Sequence, residues 1–153
     1  MRRCFVLSAL ALAALARPVV GQNQVTGIRS LAFGAVVRGV PSSVPPSDPI
    51  RSGRFYVRYQ LNRQVQVSFT LPTRLARVGG GGNLTISFAS TDGIAQGTAP
   101  TSQPVTFNPN NSITFTLVTS ADFYLNLGGT VSPAANQATG NYSGTVVLNV
   151  NFL

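Results

Sequence analysis

Asp48, Asp92 and Asp122 carry all the side-chain carboxylates of this 153-residue chain, which has no His, no Glu, no Lys and a single Cys at position 4. General acid–base work, thiol or Schiff-base nucleophiles and transition-metal sites draw on the groups that are missing. A hydrolase would need two of the three widely spaced aspartates to meet in space. Thr91-Asp92-Gly93 offers one carboxylate where a calcium loop needs an oxygen cluster, so it is expected to be a turn. Gly79 to Gly82 is followed by no Lys-Ser/Thr and by no helical pattern, and is therefore not a phosphate loop. Asn83-Leu84-Thr85, Asn110-Asn111-Ser112 and Asn141-Tyr142-Ser143 match the glycosylation sequon, a pattern that arises by chance in Asn-, Ser- and Thr-rich strands. The expectation is a protein without enzymatic activity, metal or cofactor.

The remaining chemistry is cationic. Beyond residue 21 the charged side chains are eight arginines (Arg29, Arg38, Arg51, Arg54, Arg58, Arg63, Arg74, Arg77) and the three aspartates, and every one of those arginines precedes residue 78. Such lopsidedness suits an anionic partner such as nucleic acid, lipopolysaccharide or an acidic glycan. Arg54 and Arg58 share one face of an alternating run and are the candidate anion-binding pair. The simpler account places them on the solvent face of a strand. No nucleic-acid partner is expected.

The start of the chain sets the compartment. Arg2 and Arg3 precede an apolar run from Phe5 to Leu15, and Gly21 follows shortly after Pro18. This is the layout of a secretory signal peptide, and the run is too short to span a bilayer. Residues 1–21 are read as the signal and 22–153 as one exported domain, destined for the periplasm, cell surface or extracellular space. Cys4 leaves with the signal, so the exported domain has no disulfide.

No helical periodicity survives beyond the signal; short alternating runs bounded by Gly, Pro and Asn indicate an all-β sandwich or barrel. Phe55, Val57, Tyr59 and Leu61 alternate with polar residues, as do Val65, Val67, Phe69 and Leu71, and Leu61-Asn62-Arg63-Gln64 between them is expected to form a tight hairpin turn. Further inward rows are Leu84, Ile86 and Phe88; Val105 and Phe107; Ile113, Phe115 and Leu117; and Phe123, Leu125 and Leu127. Leu31, Phe33, Ala35 and Val37 share one face of an expected strand, in which Gly34 is either a bulge or a change of sheet. Val40 to Ile50 contains four prolines and is expected to be an extended loop with no ladder role. Thr91 to Pro104 is expected to be loop-rich, and Pro133 to Gly140 to be a connection.

After a Gly-Asn-Tyr-Ser-Gly turn, Val146, Leu148, Val150 and Phe152 alternate with Val147, Asn149 and Asn151 to the last residue given. The open side of this strand is an edge, or is closed by the chain's own start, or is closed by another molecule. The third option makes these four residues an assembly strand.

Two blocks resemble a known family. Leu31-Ala32-Phe33-Gly34-Ala35-Val36-Val37-Arg38-Gly39 resembles the opening hydrophobic-x-Phe-Gly block of a bacterial secreted family, domain of unknown function (DUF) 4402. Gly128-Gly129-Thr130-Val131 and Gly140-Asn141-Tyr142-Ser143-Gly144-Thr145 resemble its closing block. That family is similar to spore coat U proteins and chaperone–usher pilins. The resemblance implies an immunoglobulin-like antiparallel sandwich in a fimbrial, adhesin or other structural role. It also implies partners: further copies or related surface subunits whose amino-terminal strand completes the fold, and a periplasmic chaperone that grips the final strand. The chain departs from the pilins in lacking their disulfide and in having a short stretch before Leu31. The leading expectation is a surface subunit assembling by β-strand addition. The alternative is a self-contained secreted sandwich that binds an anionic glycan or lipid through its Arg-rich face.

Overall fold

In a computed structural model that describes residues 23–116 and 122–153, the chain is an all-β antiparallel sandwich. The expected signal segment and Leu117 lie outside the described residues. A front sheet has the order β1 (Gln24–Arg29), β3 (Gly53–Arg58), β10 (Asp122–Leu127), β7 (Gly93–Gly97) and β8 (Val105–Phe107). A three-stranded sheet orders β13 (Val147–Phe152), β4 (Gln64–Thr70) and β9 (Ile113–Thr116). The third sheet has the order β12 (Tyr142–Ser143), β5 (Arg74–Arg77), β6 (Asn83–Ser87), β11 (Gly129–Ser132) and β2 (Ser42–Val44).

Strict alternation builds the core, because a strand sends every second side chain to the same face. Val57, Ala95, Phe107, Phe123 and Leu125 of the front sheet are buried against Val65 and Val67 of β4. Phe55, Phe69, Phe115, Leu148, Val150 and Phe152 pack around them. The rings form a chain of offset and edge contacts, Phe55–Phe69 at 5.6 Å, Phe107–Phe115 at 6.0 Å and Phe115–Phe123 at 5.8 Å. A second cluster gathers Leu84, Ile86 and Val131 under Phe33, Val36, Leu75, Phe88 and Tyr142.

Several sequence-based expectations are corrected. The hairpin expected at residues 61–64 is a crossing between sheets: β3 pairs with β1 and β10, whereas β4 pairs with β13 and β9. Asn62 makes the turn at φ 59°, a left-handed conformation that Asn tolerates. Alternation marks which face of a run is apolar and is silent on its neighbour, so two facing strands look like two paired ones. The expected strand over Leu31 to Val37 is irregular. Gly34 turns it at φ 70°, after which Val36 packs inward and Val37 stands 68 % exposed.

The proline-rich segment does carry a ladder. Ser42–Val44 pairs with β11 and buries Val44. Its prolines flank these three residues, and β2 lies at the edge of its sheet, where proline is tolerated. Gly93–Gly97, expected as loop, is β7 and pairs with both β10 and β8. Gly93 lets the Phe107 ring lie flat on the strand, since a Cβ there would sit 2.6 Å from the ring. Gly128 transfers the chain from β10 in the front sheet to β11 in the third, and β11 is a further strand that alternation did not mark.

Candidate functional site

The front and three-stranded sheets face each other across one core, β3 over β4 through Phe55–Phe69 and β8 over β9 through Phe107–Phe115. This leaves β1 and β13 as edges on the same side, the two banks of a seam. Among the described residues β1 has one strand neighbour, β3, and β13 has one, β4. The first strand therefore pairs within its own chain, but with the front sheet and not with the last strand. Val25 lies directly opposite the fully buried Val57, so its side chain points to the inner face, yet it is 43 % exposed. Gly27, opposite Phe55, faces open space: a Cβ there would meet nothing within 4 Å. On the other bank Leu148, Val150 and Phe152 are only half-buried although they belong to the main core.

Toward the β12 end the seam widens into a groove of about 1010 Å³. Its floor is apolar, formed by Phe55, Leu75, Leu84, Ile86 and Leu127. One wall is Ile28, Leu31, Phe33 and Val36 and the other is Tyr142 and Val146. The Tyr142 wall is braced: its hydroxyl donates to Ala138 O at 2.6 Å and receives Gln137 Nε2 at 2.6 Å. Arg77 Nε donates to Thr139 O at 2.8 Å, tying the 138–142 loop to β5. On the opposite wall the Arg29 guanidinium donates to the main-chain oxygens of Asp48, Pro49 and Ser52, so the end of β1 is pinned to the loop before β3. The groove is thus a trough with an apolar floor and a mixed rim that includes Arg29, Arg38, Gln137 and Asn141, lying between β1 and β12, each with one strand neighbour among the described residues.

The four residues named for the assembly strand divide in two. Leu148, Val150 and Phe152 alternate inward on β13 as expected from sequence, in register with Phe69, Val67 and Val65 of β4. Phe152 packs on Tyr59 with ring centroids 4.6 Å apart. Val146 lies just before the strand and lines the groove.

The candidate anion-binding pair is also divided. Arg58 and Asp122 face each other in register between β3 and β10, and the guanidinium grips the carboxylate with both arms, Nε to Oδ1 at 2.6 Å and Nη2 to Oδ2 at 2.9 Å. That grip holds the Asp122 carboxyl below its ordinary pKa, with a hydrogen bond from Tyr56 acting in the same direction. Burial, followed by the charge of Asp122, raises the Tyr56 phenol. Among the described residues Arg54 takes no carboxylate. Its guanidinium carbon lies 3.9 Å from the centre of the Tyr124 ring, and its Nε is shielded from solvent without a hydrogen-bond partner. A cation over an aromatic face is worth about 0.5–2 kcal/mol.

Each aspartate serves its own neighbourhood. Asp48 accepts the backbone N–H groups of Ile50 and Arg51 at 2.9 and 2.8 Å and pairs with the Arg51 side chain. Those backbone donors, Arg51 first, hold its carboxyl below the usual range. Asp92 accepts the Ala89 N–H at 2.7 Å and so closes the expected Thr91-Asp92-Gly93 turn. Among the described residues no three His, Cys, Asp or Glu side chains gather as a metal site would require. The seam was half legible in sequence: the alternation of β13 was visible, but its opposite bank was hidden because β1 has only Val25 and Gly27 facing inward. Comparison with protein-family models, with curated proteins and with solved structures gives no match to this chain.

Proposed function

We propose that the chain is a non-enzymatic, exported surface subunit, of pilin or adhesin type, that receives a β-strand along the seam between β1 and β13. The observation that carries this reading is the exposure of inward-facing Val25 beside a fully buried register partner. A sandwich that completed its own core would cover that residue, since burying a Val side chain stabilises by about 1.5–3 kcal/mol. An added strand would take main-chain hydrogen bonds from two free edges and place alternate side chains in the trough, which is how strand addition combines affinity with specificity. The resemblance of the Phe33-Gly34 and Gly140–Thr145 blocks to DUF 4402 and pilin-like proteins agrees with this reading, and it implies an immunoglobulin-like arrangement of the sandwich. The strand would come from another copy or a related subunit, and a periplasmic chaperone would guard β13 before assembly. Export would follow from the Arg2-Arg3 and Phe5–Leu15 leader.

The test is the solution state of residues 22–153, by light scattering together with amide exchange. Multimers in which the amides of β1 and β13 become protected on assembly support the proposal. A strict monomer whose β1 and β13 amides are all protected would sink it, because both edges would then already be paired.

A further inference from the structure

We propose that the solvent face of the front sheet is a binding site for a carboxylate-bearing polysaccharide, centred on Arg54. This site is separate from the seam and does not rest on the strand-addition reading. Register places Tyr56, Tyr124 and Gln96 in one row across β3, β10 and β7, with Arg54 and Asn126 in the row beside it. All five point away from the core, since their sequence neighbours Phe55, Val57, Phe123, Leu125 and Ala95 point into it.

The two arginines of this face have been given different tasks. Arg58 is neutralised through both arms by Asp122. Arg54, four residues earlier on the same face, has no hydrogen bond or ion pair among the described residues and lies over the Tyr124 ring. Its register partner on β1, Arg29, spends its donors on main-chain oxygens and on the Ser52 hydroxyl, so that charge too has no carboxylate. Two adjacent cations without a counter-charge among the described residues produce local positive potential, and an Arg already packed on a ring loses less freedom when it takes up a carboxylate as a two-armed acceptor.

The surroundings select the class of ligand. Tyr56 and Tyr124, with ring centroids 5.5 Å apart, offer partly exposed aromatic surface, and Gln96 and Asn126 supply uncharged donors and acceptors. Aromatic surface, amides and one free guanidinium fit a pyranose ring with hydroxyls and a single carboxylate. A phosphate-rich membrane or a nucleic acid would call for several free cations, and this face has lost Arg58 to Asp122.

The experiment is calorimetric titration of residues 22–153 with polygalacturonate, with its methyl-esterified form and phosphatidylglycerol vesicles as comparison probes. Saturable binding of the free acid is expected, weakening as salt is raised and absent for the ester. Arg54→Gln should weaken it about tenfold or more, the loss of a charged hydrogen-bonding pair. Arg74→Gln, on the third sheet, should leave it unchanged. Tyr124→Phe keeps the ring under Arg54 and should retain binding, which guards against misreading a folding defect, as does circular dichroism of each variant. Four results overturn the proposal: no saturable binding, equal binding of the ester, equal losses in the Arg54 and Arg74 variants, or binding of vesicles alone.

Discussion

Two glycines show how close approach and open space distinguish structural from functional positions. Gly128 sits where the chain leaves the front sheet, and a Cβ there would lie 2.5 Å from the Val44 carbonyl oxygen and 2.7 Å from the Pro46 nitrogen. Both obstacles are main-chain atoms and cannot rotate away, so Gly128→Ala should cost about 1–3 kcal/mol or more in a denaturant titration. Gly27 is the opposite case, with no atom within reach of a new Cβ. Gly27→Ala should be neutral or should stabilise the monomer by about 0.4–1 kcal/mol, through the unfolded chain. Gly27→Leu should leave the monomer folded and abolish the assembly seen by light scattering, because its side chain would occupy the space an incoming strand needs. Assembly that survived Gly27→Leu unchanged would place the strand-accepting edge elsewhere. The roles of these two residues were not legible in sequence, where each is one of 15 glycines. What separates them is the presence of β2 beside one and of nothing beside the other.

At the scale of elements, β13 is the strand whose face was most legible. Leu148, Val150 and Phe152 turn inward and Asn149 and Asn151 outward, because period-two alternation directly encodes side-chain direction. Phe152→Ser should therefore destabilise the domain by about 1–3 kcal/mol, a fraction of the full cost for a ring that is only half-buried, whereas Asn151→Ser should stay within about 0.5 kcal/mol. Equal effects in thermal melts would mean that the strand faces the other way. Partnership was less legible than direction. The β3–β4 turn has hairpin chemistry at Asn62, yet it joins two sheets, and the Arg58–Asp122 grip spans 64 residues through a β3–β10 pairing that no local pattern announces. The short strands β2, β7 and β11 escaped because they rest on tertiary packing more than on propensity: Val44, Ala95 and Val131 are buried by neighbours distant in sequence.

The whole molecule has an unusual titration inventory, and its stability should follow. Beyond residue 21 there is no His and no Cys, so no side chain there with an ordinary pKa changes charge between about pH 5 and pH 9. At the acid end, Asp48 and Asp122 have folded-state pKa values below that of an unfolded aspartate, about 3.9. The unfolded chain then binds protons first as the pH drops. The stability these carboxylates provide is whole above about pH 4 and is lost as the pH falls through their folded values. At the alkaline end Tyr56 is raised above its ordinary value near 10 by burial and by the Asp122 charge. Its contribution is complete below that pH and is lost as the pH climbs through the folded value. A plot of melting temperature against pH should be a plateau with a shoulder at each end. Asp122→Asn should blunt both shoulders, because the same carboxylate is gripped by Arg58 and opposes ionisation of Tyr56. The seam should be indifferent over the same plateau: its floor is apolar and no carboxylate among the described residues lines the groove, so strand uptake there is driven by burial and main-chain pairing. A step in stability or assembly between pH 5 and pH 9 would require a titrating group that neither the seam nor the outer face supplies.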